Sequence, residues 1–197
     1  MSSIRSFRVG DEAALAEVCV RTALSGADAT GRYSDDAIWA EIYVLPYLAR
    51  HPDFAFVVET DDGRVAGYIV GTPDTRAFEN WFRAQWWPQR AARWPHPPAG
   101  SPEAETLDYA ADRGEATEPY GDDYPAHLHI DLLPEVQGAG WGRRLIETFV
   151  EAVRAAGVSG VHLVASADNA GALAFYPHVG FAPLPSPAGV QAFARTL

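Results

Sequence analysis

The hydrophobic positions of the chain switch repeatedly between strand-like and helical spacing. Residues 4–9, IRSFRV, predict a short strand. Residues 11–24, DEAALAEVCVRTAL, predict a helix with Leu15, Val18, Cys19 and Thr22 on one stripe, and with Asp11 and Glu12 favouring its amino end. A second helix is expected over 34–50, with Ser34 as its cap and Pro46 ending or kinking it. The runs FAFVVET (54–60) and VAGYIVGT (65–72) flank the turn DDGR, which is a hairpin signal. Further on come a strand at 126–134, a helix at 138–156, a strand at 160–166, a short helix at 169–180 and FAPLP at 181–185. No internal repeat is visible.

Residues 73–125 break this rhythm. They begin with FENWFRAQWWPQRAARW, which holds four of the six tryptophans, and continue into a stretch rich in proline, glycine and acid. The aromatic half predicts packed helix, and the second half predicts an ordered loop lying over a surface. At 197 residues, about half of them apolar, the chain fits a single domain spanning 1–197 with 73–125 as an insertion.

Composition narrows the chemistry. No apolar run is long enough to span a bilayer and the first residues do not resemble a signal peptide, so a cytoplasmic protein with no membrane partner is expected. The net charge is −11 and all 15 basic residues are arginines, which argues against a nucleic-acid partner and favours a cationic one, although acidic excess also serves solubility alone. Without lysine there is no Schiff-base chemistry. The single cysteine, Cys19, excludes a disulfide framework and reads as a buried thiol. His162 and His178 have no partner at metal-ligand spacing, so no metal is expected. Asp168 reads as a helix cap.

The segment PEVQGAGWGRRLIETFVEAV places Gly138, Gly140 and Gly142 in front of a helix whose apolar stripe is Leu145, Ile146, Phe149, Val150 and Val153. Unpaired first-turn amides and the positive end of the helix dipole make such a junction an anion site, to which Arg143 and Arg144 can add charge. A tight connection is the alternative reading of the same glycines. The loop has neither the lysine of a nucleotide-triphosphate loop nor the spacing of a dinucleotide fingerprint.

Gln137-x-x-Gly140-x-Gly142 after a strand resembles the acyl-coenzyme A loop of the GNAT acetyltransferases. Asn169-x-x-Ala172-x-x-Phe175-Tyr176-x-x-x-Gly180-Phe181 resembles that family's second motif. Residues 51–90, HPDFAFVVETDDGRVAGYIVGTPDTRAFENWFRAQWWPQR, look like the acetyltransferase-like C-terminal domain of O-GlcNAcases. Animal members of that group depart from the acyl-coenzyme A loop, whereas this chain keeps it. The resemblance implies an α/β GNAT fold, a mixed and mostly antiparallel sheet flanked by helices, with a large insertion between the third and fourth strands. It also implies transfer of acetyl from acetyl-CoA to a primary amine by direct attack on the thioester.

Carried over residue by residue, the resemblance implies a cofactor site built from Leu132, Leu133, Gln137, Gly138, Ala139, Gly140, Trp141, Gly142, Arg143, Asn169 and Phe175. Leu132 and Leu133 would pair with the pantetheine arm where the fourth and fifth strands splay apart. Tyr176 would protonate the departing thiolate, or else be a core aromatic beside Phe175. The base is open. Alternation puts His127, His129, Asp131 and Leu133 on one face, whereas family members carry a base at the positions of Ala126 or Leu128, which are apolar here. Either a bulge turns His129 or Asp131 inward, or water carries the proton, or the insertion supplies the base. Asp108, Tyr109, Asp112, Glu115, Asp122 and Asp123 would form an acidic, aromatic rim for a cationic small molecule or a peptide lysine. Two rivals stand beside the enzyme: a pseudo-acetyltransferase that binds a peptide or protein, and an acyl-coenzyme A sensor. A monomer or homodimer is expected.

Overall fold

The computed structural model describes residues 2–95, 97–114 and 119–197. Seven strands form one sheet: β1 (Ser3–Ser6), β2 (Ala55–Glu59), β3 (Val65–Thr72), β4 (Ala126–Leu132), β5 (Gly160–Ser166), β6 (Ala182–Pro183) and β7 (Val190–Thr196). Their order is β1-β2-β3-β4-β5-β7-β6. Only β4 and β5 run parallel, and the other neighbours are antiparallel. The mixed, mostly antiparallel sheet expected from the sequence is therefore present, with residues 73–125 between the third and fourth strands.

Helices cover both faces. α1 (Glu12–Val20), α2 (Ala37–Tyr43) and α3 (Leu45–Arg50) lie on one side, and α6 (Trp141–Ala155) packs on the other against β2, β3 and β4. The stripe read on α6 is fully buried, as are Leu15, Val18 and Cys19 on α1. Pro46 begins a new helix rather than ending the first. It sits in the opening turn of α3 after a break at Val44, where its missing N–H costs nothing. Ser34 is not the cap: its hydroxyl donates to Glu103, and the Asp35 carboxylate accepts from the Ala37 amide at 2.9 Å.

The insertion holds α4 (Thr75–Trp81), whose chain runs on through an irregular turn to Trp86, and α5 (Pro102–Asp112). α5 corrects the expectation of a loop. Ser101 accepts from the Ala104 amide at 3.2 Å and Pro102 opens the helix, a start signal that the surrounding proline and glycine concealed. Trp86, Trp87 and Trp94 are buried, and the Trp87 ring stacks on Phe82 and Trp94 at 6.1 and 5.8 Å. The indole N–H groups of Trp86 and Trp94 reach the Glu41 carbonyl and the Asp35 carboxylate, so the insertion is tied to α2 as well as to the sheet. β7 has no counterpart in the sequence reading. Its consecutive buried residues Ala192, Phe193 and Ala194 erase the alternation that marks a strand.

No helix among the described residues is long and apolar enough to cross a membrane. The register of β3 on β4 sets which residues reach which helices. Tyr68 lies opposite Asp131, Val70 opposite His129 and Thr72 opposite His127, on the α1–α3 side. Gly71, opposite Leu128, faces α6, where a Cβ would sit 2.5 Å from Phe149 and 2.4 Å from the His127 carbonyl. Gly71→Ala should therefore destabilise the protein by about 1–3 kcal/mol, read as a lower urea midpoint. An unchanged midpoint would mean that α6 is not seated on β3 as described.

Candidate active site

β4 and β5 pair only at Ala126 with Val161 and at His127 with His162. Beyond those two pairs β4 stays with β3, and β5 stays with β7 along its whole length. A cleft of about 1130 Å³ opens where they part. The Leu133 amide donates to the Ala66 carbonyl at 2.9 Å, so the main chain of Asp131 and Leu133 points toward β3. By alternation the main chain of Leu128, Ile130 and Leu132 points into the gap. Leu133 thus turns its backbone away and buries its side chain, whereas Ile130, not singled out in the sequence, lines the cleft. The Leu132 carbonyl is already taken by the Gln137 side chain, which donates at 2.8 Å.

At one end of the cleft lies the glycine loop. Gly138 and Gly140 have φ of +73° and +80°, a backbone that favours glycine, and Gly140 starts α6. None of the amides from Gly138 to Arg143 donates to another backbone group among the described residues. Gly142 has a different reason to be glycine: a Cβ there would lie 3.1 Å from the Phe175 ring and 3.4 Å from Leu132. Arg143 donates to the His178 carbonyl at 2.8 Å, while Arg144 lies over the Trp141 ring at 3.9 Å and donates to the Ala139 carbonyl. Ala139 itself does not line the cleft. On α7 (Ala170–His178) the helix cap is Asn169, not Asp168; its side-chain oxygen accepts from the Ala172 amide at 3.0 Å, leaving its amide N–H₂ for the cleft. Phe175, Tyr176, Asn169, Gln137, Trp141 and Arg143 all line the cleft.

At the other end stand Cys19, Thr22, Trp39, Tyr43, His129 and Asp131. The β3–β4 register runs without a bulge from Gly67 to Thr72, so no bulge brings His129 and Asp131 to the cleft. They reach it because the parting of the strands opens both faces of β4. Asp131 accepts a hydrogen bond from Tyr68, and burial pushes its carboxyl above the ordinary range against that bond. Burial and the charge of Arg113 hold the His129 imidazole down at about 3. Burial keeps the Cys19 thiol and the Tyr176 phenol protonated, with Asp131 adding to both effects. The Tyr176 hydroxyl has no hydrogen-bond partner among the described residues, and its ring packs on Phe181 and Phe193.

The insertion contributes differently from the acidic rim expected of it. Asp108, Asp112 and Asp123 are exposed and away from the cleft, and Asp122 pairs with Arg76 at 3.0 Å. Glu115 lies outside the described residues. Tyr109 does reach this side, stacking on Tyr43 at 5.9 Å in a row that continues through Trp39 to Tyr33. Arg113 is the residue with the least local signal. It is fully buried, forks onto Glu79 at 2.8 and 2.9 Å and donates to the Tyr47 hydroxyl at 2.6 Å. Its only sequence signal is a lone arginine in an acidic stretch. No cluster of potential metal ligands occurs among the described residues.

Comparison with known proteins gives a consistent picture. The model of the acetyltransferase (GNAT) family matches residues 22–181. The crystal structure named SsHAT is 38% identical, with 99% of this chain and 98% of that one covered and a TM-score of 0.93. The Drosophila melanogaster polyamine N-acetyltransferase, which forms N-acetylagmatine, shares the fold at 17% identity, with all of both chains covered and a TM-score of 0.63. Chaetomium thermophilum Naa20, solved with a bisubstrate analogue, shares it at 19% identity, with coverage of 99% and 86% and a TM-score of 0.55.

The buried imidazoles make stability depend on pH. His127 and His129 are held below the usual 6.5, so the unfolded chain binds protons that the folded chain does not as pH falls under about 6.5. Each fully shifted group then removes up to about 1.4 kcal/mol per pH unit. Asp131, shifted upward, opposes this only below its own raised value. The urea midpoint should fall between pH 7 and pH 5, and less steeply in His129→Gln. A flat midpoint in the wild type would show that the imidazoles are not buried neutral.

Proposed function

The chain belongs to the GNAT acetyltransferase family, and we propose that it transfers acetyl from acetyl-coenzyme A to a primary amine entering beside His129 and Asp131. The observation that carries this reading is the cleft: a loop of unpaired amides at one end, an open strand edge along its length and a buried carboxylate at the other. These fit the cofactor's three chemistries in order. The amides from Gly138 to Arg143 suit a pyrophosphate, the gap-facing main chain of Ile130 and the Leu132 N–H suit the amides of a pantetheine arm, and Phe175 and Leu132 offer an apolar wall. When bound, acetyl-CoA supplies an activated acetyl thioester.

The chain's own groups then divide the proton work. Asp131, whose carboxyl burial makes more basic than an ordinary carboxylate, takes the proton that the amine must lose. Tyr176, held protonated and with no hydrogen-bond partner for its hydroxyl among the described residues, lines the cleft as a donor for the departing sulfur. His129 at about 3 is too weak a base for the first of these roles. The negative surface and the aromatic row of Tyr43 and Trp39 favour a cationic acceptor, either a small amine or a peptide. The stretch that resembles the O-GlcNAcase domain delivers Tyr68 and Thr75 to this region and is part of the same reading. The presence of the loop, Asp131 and Tyr176 together favours turnover over binding alone.

Calorimetric titration should find acetyl-CoA binding in the wild type. Gly140→Trp should abolish it, since an indole would cover the amides, at a strain cost of about 1–2 kcal/mol. Unchanged affinity in a folded Gly140→Trp protein would put the cofactor elsewhere. In an amine screen followed by thiol release, Asp131→Asn should lower turnover by about 10²- to 10⁴-fold and Tyr176→Phe by less, both with acetyl-CoA affinity kept. Activity should rise with pH through the raised Asp131 value, above the ordinary 3.8. Full activity in Asp131→Asn would remove it as the base.

A further inference from the structure

Behind the His129 end of the cleft the described residues form a connected chain of hydrogen bonds, and the chemistry of its members orders the protons along it. Thr75 Oγ1 lies 2.7 Å from the Pro125 carbonyl, which can only accept, so the single hydroxyl proton points there. Thr75 Oγ1 must then accept from His127 Nδ1, 2.9 Å away. His127 is neutral in its buried position beside His162 and Arg113, so its Nε2 is bare and accepts the Tyr47 hydroxyl proton across 2.7 Å. With that proton committed, the Tyr47 oxygen can only accept further bonds. It receives one from Arg113 Nη2 at 2.6 Å and one from His129 Nε2 at 3.0 Å. His129, neutral beside the Arg113 charge, therefore carries its proton on Nε2, and its Nδ1 is a bare lone pair. His129 lines the cleft, and its Nδ1 has no partner among the described residues.

We propose that Thr75, Tyr47 and Arg113 are positioning residues that lock His129 as the Nε2–H tautomer and so present a hydrogen-bond acceptor, Nδ1, to the N–H of the incoming amine. The opposite tautomer would present a donor and repel it. Arg113 and Thr75 both come from the insertion, which gives that segment a part in catalysis without supplying the base. Arg113 is held for this by the Glu79 carboxylate and the Ile42 carbonyl, with no solvent exposure at either charged side chain. The use made of the lone pair rests on the function proposed above. The tautomer itself does not, so failure of acetyl-CoA binding would sink that reading and leave the proton positions to be judged alone.

Long-range ¹H–¹⁵N correlation spectra of the uniformly labelled protein, with the His129 signals assigned by their loss in His129→Gln, read the tautomer directly. In the wild type one protonated Nε2 and one bare Nδ1 are expected. Thr75→Val removes the acceptor of the His127 proton, so His127 should move its proton to Nε2 and donate to Tyr47. Tyr47 should then donate to His129, whose proton should move to Nδ1. Thr75→Ser, which keeps the hydroxyl, should give the wild-type pattern, and Tyr47→Phe should give a mixture of tautomers. A merely structural role for these residues would leave the His129 nitrogens unmoved. A wild-type His129 protonated on Nδ1, or a folded Thr75→Val or Tyr47→Phe protein with the wild-type pattern, would overturn the proposal.

Discussion

β4 and β5 exchange ladder hydrogen bonds over two residue pairs and then separate, each keeping its other neighbour. Main-chain groups that face such a gap cannot stay unsatisfied, and they must find water or a ligand. The result is a strand edge in the middle of a sheet, opening on a cleft of about 1130 Å³. Everything that gives the site its chemistry is arranged along that edge. The loop that begins α6 lies at one end, α7 supplies the apolar wall and Tyr176, and residues of α1 and α2 line the other.

The two ends are electrostatic opposites. At the loop end, amides with no backbone acceptor among the described residues gather at the start of α6, while Arg143 and Arg144 are engaged with the His178 and Ala139 carbonyls. At the other end Asp131 lines the cleft with His129, and its environment is dry enough to raise it. The same dryness lowers His129, helped by Arg113. One burial effect thus moves two neighbouring groups in opposite directions, the carboxyl up and the imidazole down.

The Arg113–Glu79 pair shows what the insertion adds. Breaking a fully buried pair costs about 3–5 kcal/mol, because the remaining charge has no solvent. Such a pair needs compensating contacts, and Arg113 finds them in the Tyr47 hydroxyl and the Ile42 carbonyl. In doing so it links α5, α4, α2 and α3 to β4. Trp86 and Trp94 tie this assembly together further, with their N–H groups bonded to the Glu41 carbonyl and the Asp35 carboxylate.

The sequence by itself determined the features that are local. Glycine spacing before an amphipathic run marked the loop and α6, an Asp-Gly turn marked the β2–β3 hairpin, and two motifs about thirty residues apart carried the family. Each depends on neighbours within a few turns of chain, so spacing is enough. It could not determine β7, whose middle is buried without alternation, or α5, whose cap lay among turn formers. Nor could it say that Gly142 serves the packing of Phe175, that Leu133 turns away from the gap while Ile130 faces it, or that Asp131 and His129 part in basicity. Those follow from register, burial and a buried arginine 16 positions before His129 in the chain. They were decided by tertiary structure, because only packing brings charges together and excludes the water that would otherwise screen them.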